Sequence, residues 1–141
     1  MEYDEIEAVL STMLEKEMYE LAKPTVEDWR QLSNKFNCVF SNEFKYFMEL
    51  MSLWSFPGDI YNVSNENNNG NDTIVDVYDY EIKKDNWNEN MIPFYGIGNG
   101  DYFCISRLNS KVYYYYHDKR ESEAYCDSFK NWIEQLGDFL K

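Results

Sequence analysis

MIPFYGIGNGDYFCISRLNSKVYYYYHD, residues 91–118, is the stretch whose reading decides the fold. Three short runs, MIPFYGI, DYFCISR and KVYYYYHD, alternate with the period of two that belongs to β-strands. Turn residues divide them. Asn99-Gly100 is a hairpin signal, and Asn109-Ser110 marks a second reversal. The stretch therefore reads as an antiparallel meander. Its glycines also invite comparison with phosphate-binding loops, and the comparison fails. A dinucleotide fingerprint places glycines as G-x-G-x-x-G at the start of a helix. Here Gly96 and Gly98 are in register, but the third position is Asp101 and a strand follows, so no helix N-terminus would face a phosphate. No Gly-Lys-Ser/Thr is present either. The glycines serve a turn.

Upstream, the pattern is helical. Ile6, Val9, Leu10, Met13, Leu14, Met18 and Leu21 fall on one face of an amphipathic helix that ends before Pro24. Thr25 with Asp28 makes a capping pattern for a second helix carrying Trp29, Leu32 and Phe36. Ser41 caps a third, with Phe44, Phe47, Met48 and Met51 on its inner face. A short strand is expected over 60–63, then the polar loop SNENNNGND. Residues 73–84 fit a helix capped by Asp72, although Tyr78, Tyr80 and Ile82 also alternate like a strand; helix is the preferred reading. Downstream of the meander, Asp127 or Ser128 caps a last helix lined by Phe129, Trp132, Ile133 and Leu136. The expected fold is α+β: N-terminal helices packed on a mainly antiparallel sheet, with strands near 60–63, 91–97, 101–107 and 111–118, and a C-terminal helix. A single domain over 1–141 is expected, with 1–23 as an additional N-terminal helix on a core of 25–140.

Composition bounds the function. Of 141 residues, 44% are hydrophobic and 18% aromatic, ample for a core. Asp and Glu number 26 against 13 Lys and Arg, giving a formal net charge of -13. Such a field repels phosphate backbones, so direct nucleic-acid binding is disfavoured, while a basic protein surface is attracted. Three cysteines, Cys38, Cys104 and Cys126, sit singly among apolar neighbours, which argues for a reducing compartment. With an acidic N-terminus and no long apolar run, a cytoplasmic location is expected, away from membranes.

Catalytic and metal-binding signatures are missing. His117 is the sole histidine, which removes His-pair zinc sites, and no C-x-x-C occurs. On a strand, His117 and Asp118 would point to opposite faces and form no dyad. The 65–76 segment has the spacing of a calcium loop but begins with Asn65 and ends at Asp76, where Asp and a bidentate Glu are required. No catalytic residue, metal ligand or cofactor site is assigned, and the chain is not read as an enzyme. A binding surface remains. Between Asp59 and Asp101 there are nine acids against Lys83 and Lys84, with Tyr61, Tyr78, Tyr80, Trp87, Phe94 and Tyr95 interleaved. Aromatics rimmed by acids suit a protein-binding face.

The order of pieces resembles the SUKH superfamily, in its branch related to yeast cell-wall-assembly regulators. The resemblance rests on Glu27-Asp28-Trp29 with Leu32, then Phe40-Ser41-Asn42-Glu43-Phe44-Lys45-Tyr46-Phe47-Met48. It continues through Ile92-Pro93-Phe94, Gly100-Asp101-Tyr102-Phe103-Cys104-Ile105 and Val112-Tyr113-Tyr114-Tyr115-Tyr116-His117-Asp118. Ser128-Phe129-Lys130-Asn131-Trp132-Ile133-Glu134-Gln135-Leu136 close it. Val39-Phe40 stands where the family has Leu-Pro, and Ser106-Arg107 where it has Asp. The resemblance implies a bacterial immunity protein without a cofactor, binding a cognate toxin of basic, nuclease type. The expected contact residues are Asp59, Tyr61, Asp76, Asp79, Tyr80, Glu81, Tyr116 and Asp118. The alternative it leaves is a non-catalytic scaffold docking a cellular partner.

Overall fold

The computed structural model describes residues 8, 24–50, 59–63, 73–84, 87–109 and 111–140. The helix expected over 1–23 lies outside them apart from Ala8, as do the polar loop 64–72 and Met51. Helix α1, Val26–Phe36, starts where Thr25 accepts the Asp28 N–H and the Asp28 carboxylate accepts the Thr25 N–H, a complete capping box. It ends at Asn37, whose N–H still bonds the Ser33 carbonyl and whose left-handed backbone (φ 52) turns the Cys38 N–H onto that same carbonyl. Helix α2, Asn42–Leu50, begins with the Ser41 hydroxyl accepting the Phe44 N–H. Residues 73–84 hold helix α3, Ile74–Ile82. Its cap is Thr73, which accepts the Asp76 N–H, and Asp72 is one residue too early. Helix α4, Phe129–Leu140, is capped by Ser128, which accepts the Asn131 N–H.

Five strands, β1 (Asp59–Ile60), β2 (Met91–Gly96), β3 (Tyr102–Ser106), β4 (Val112–Tyr116) and β5 (Glu121–Cys126), form one sheet in that order. Every neighbouring pair is antiparallel. The meander and the α+β class are as expected, with strands slightly shorter than the sequence runs. Regular pairing of the 59–63 segment stops at Ile60; Asn62 instead makes an isolated parallel bridge to Thr73. Strand β5 was not anticipated. The β2–β3 connection is longer than a two-residue Asn-Gly turn. Gly98 and Gly100 both take positive φ (100 and 97), Asn99 accepts the Asp101 N–H, and the Ile97 N–H bonds the Asp101 carbonyl.

Alternation sends the strand side chains to two faces. Ile92, Phe94, Phe103, Ile105 and Val112 join the helices in the main core. There the rings meet edge to face: Phe94 on Trp132 at 5.2 Å, Phe44 on Phe129 at 5.1 Å and Phe47 on Trp132 at 5.2 Å. Such pairs contribute about 0.5–1.5 kcal/mol beyond their buried area. A bulge between Pro93 and Tyr95 brings Tyr95 against Trp132 as well. Met91, Cys104 and Tyr115 take the opposite face, under Trp87.

Candidate functional site

Two carboxylates are drawn into the fold. Asp101, 8% exposed, closes the β2–β3 hairpin and faces the β4–β5 turn. Its Oδ1 accepts the His117 backbone N–H at 2.8 Å and lies 2.6 Å from His117 Nδ1; its Oδ2 accepts the Tyr114 hydroxyl at 2.8 Å. Burial alone would raise its pKa, but the bonds from the His117 N–H, the His117 ring and Tyr114 outweigh that and hold it below its ordinary value. Burial, then the bond to Asp101, pushes the Tyr114 hydroxyl up. Gly100 is part of the same construction, because a Cβ there would stand 3.0 Å from His117 Cγ. His117 thus lies in a turn rather than on a strand, and its carboxylate partner is Asp101, sixteen residues upstream. Among the described residues no Ser, Thr or Cys hydrogen-bonds the ring, so the pair works as a clamp between two turns.

Glu81 is the second, 4% exposed on α3. It accepts the Tyr102 hydroxyl at 3.1 Å and the Lys84 ammonium at 3.2 Å. Tyr102 stacks on Tyr115 at 5.8 Å and meets Tyr61 and Trp87 edge-on, both at 6.1 Å. Burial first, and the Glu81 charge next, drive the Tyr102 hydroxyl far above its ordinary pKa. This cluster fastens α3 to the sheet.

The eight sequence-derived contact residues are dispersed over the structure. Asp59 opens β1, opposite Gly96. Tyr61 is buried, and so is Glu81; Tyr102 touches both. Asp76 and Tyr80 are exposed on α3, Tyr80 beneath the Lys84 ammonium at 4.0 Å. Asp79 pairs with Lys35 of α1 at 2.9 Å. Asp76 also lines a shallow depression of about 200 Å³ with Asp28, Gln31, Leu32, Val63, Thr73 and Val75. Tyr116 and Asp118 lie at the far end of β4, where Tyr116 packs on Tyr114 at 4.8 Å and carries Lys119 at 4.8 Å over its ring.

What the sequence reading missed surrounds that strand end. Glu123 stands opposite Tyr114 and Glu121 opposite Tyr116, while Tyr125 packs on Phe103 at 4.9 Å and stays 41% exposed. Tyr114, Tyr116 and Tyr125 with Glu121 and Glu123 make an acidic, aromatic strip along the last two strands. Among the described residues no group of His, Cys, Asp and Glu could hold a metal ion. Nor is any described helix long and apolar enough to cross a membrane. The three cysteines are free thiols, Cys104 and Cys126 buried.

A search of curated proteins and a search of solved structures each gave no match. The SUKH_5 family model, described as SMI1-KNR4 cell-wall, matches residues 6–138. With that match running over nearly the whole of its 141 residues, the chain belongs to the SUKH_5 family.

Proposed function

We propose that this chain is an immunity protein that binds and neutralises a cognate bacterial toxin, a basic effector domain of nuclease type, in the cytoplasm. The observation that carries the reading is the family match over 6–138. Its chemistry is supported by the net charge of -13. An acidic protein can fill the positive cleft that a nuclease keeps for its substrate, with long-range attraction speeding the encounter. Neutralisation needs no chemistry of its own: an occupied cleft is an inactive one.

Of the sequence-derived residues, Asp76, Tyr80 and Asp118 are exposed and Asp79 and Tyr116 are partly exposed, and these, with Asp59, are the proposed contacts. Tyr61 and Glu81 are buried against Tyr102 and are not among them. The test is co-expression with the product of the adjacent gene. That product should arrest growth alone, and this chain should restore growth while forming a complex with it. A non-toxic neighbour, or toxicity that persists despite a complex, would end the immunity reading.

A further inference from the structure

Among the described strands, β5 ends the sheet at the side opposite β1. It pairs with β4 along one edge, and no described strand pairs with the other. Its residues read exposed, intermediate, exposed, exposed, exposed, buried from Glu121 to Cys126. Thus both faces of the strand, and not only its edge, meet solvent. An open edge carries backbone N–H and C=O groups that an extended chain can complete.

We propose that the outer edge of β5 captures an extended, basic segment of a partner protein as an added strand. Three observations select that occupant. First, Glu121 and Glu123 share one face two positions apart, about 7 Å along a strand, so Lys or Arg at alternate positions of an added strand fall beside them. Second, the same face carries Tyr116, Tyr114 and Tyr125. Tyr116 already holds the Lys119 ammonium over its ring at 4.8 Å, the contact that a partner's cations would repeat. Third, a second copy of this chain is a poor occupant. Pairing two β5 edges would bring the acids of both strands together, which protects the edge from self-association. The charge that excludes a copy selects a basic strand. This rests on the immunity reading only for the partner's identity; the edge chemistry stands independently of it.

The experiment uses amide hydrogen exchange on the full chain at low ionic strength, where exposed charges are least screened. The probe is a short synthetic peptide of alternating Lys and Thr, with a Glu and Thr peptide as control. At a peptide concentration about ten times its dissociation constant, the outward amides of 121–126 should exchange about tenfold more slowly. Glu121→Lys with Glu123→Lys should remove that protection while β2 and β3 amides stay as slow as before, and Glu89→Lys, at an exposed acid remote from the proposed contacts, should retain it. Protection that is absent, that lies outside β5, or that the Glu peptide produces equally would overturn the proposal. If the Lys peptide protects β5 but the chain fails to neutralise the neighbouring gene product, the immunity reading falls and edge capture stands. Neutralisation without β5 protection gives the converse.

Discussion

Strands β2 and β5 are each six residues long and pair antiparallel within one sheet, yet all six residues of β2 are buried and only Cys126 of β5 is. The difference is one of position. Strand β2 lies between β1 and β3, with α4 rings on one face and Trp87's cluster on the other. Among the described residues, strand β5 has one strand neighbour and little cover. The buried strand holds the fold together and tolerates little change; the open one leaves its side chains to solvent, where substitution costs little stability. A set of substitutions graded from one strand to the other can break that division or sharpen it.

The largest effect should come from β2. Phe94→Ala removes a fully buried ring that packs on Phe44, Phe129 and Trp132, and denaturant unfolding should register a loss of about 3–5 kcal/mol. Next is the hairpin that leaves it. Gly100→Ala places a side chain at φ 97 and against the His117 ring, at a cost of about 2–3 kcal/mol. A loss below about 0.5 kcal/mol there would mean that the two turns are not clamped.

Asp101→Asn keeps the shape but weakens three charge-assisted bonds, for about 1–2 kcal/mol at neutral pH after allowance for His117's half-exposed ring. Its pH dependence gives the sharper reading. The carboxyl pKa is lower in the folded chain than its ordinary 3.8. Its contribution is therefore complete above about pH 4 and is lost as pH falls through the lower folded value. The gap between wild type and Asp101→Asn should close on acidification below that point. A gap that widens instead would contradict the bonding described.

Away from the sheet, Thr25→Ala opens the α1 capping box and should cost about 1 kcal/mol by thermal unfolding. The smallest effect belongs to β5. Glu121→Lys with Glu123→Lys alters exposed side chains on a chain with excess acid, and stability should move by no more than about 0.5 kcal/mol.

The same contrast explains what could be read in advance. Strands β2, β3 and β4 were legible because a core lies along at least one face, which imposes alternation on Ile92 and Phe94, Phe103 and Ile105, Val112 and Tyr114. Helix starts were legible because Thr25, Ser41 and Ser128 cap by local chemistry, as the hydrogen bonds of α1, α2 and α4 confirm. In α3 the cap was displaced by one residue, since Asp72 and Thr73 are both good caps and only the fold selects between them. Strand β5 escaped notice because ESEAYC has exposed residues on both faces, so burial leaves no period in it, and Glu and Ala are poor strand formers. Turn chemistry showed where the chain reverses at Asn99-Gly100 without showing that Gly98 and Gly100 supply the positive φ values.

The site was less legible than the fold. Glu81 and Tyr80 are adjacent in sequence, and nothing local says that one is buried under Tyr102 while the other is exposed. Asp101 and His117 meet because two turns lie side by side, a tertiary fact with no motif behind it. The acidic composition pointed to a basic partner, and it could not say which acids stand clear of internal pairing.

The central claim is that β2 and β3 sustain the fold while the β5 edge engages the partner. The most direct measurement is growth of cells that express the toxic neighbouring gene product together with the Glu121→Lys, Glu123→Lys chain, its folded state verified by an unchanged unfolding midpoint. The account predicts arrest, where the wild-type chain restores growth. Full rescue by the folded double variant would contradict it.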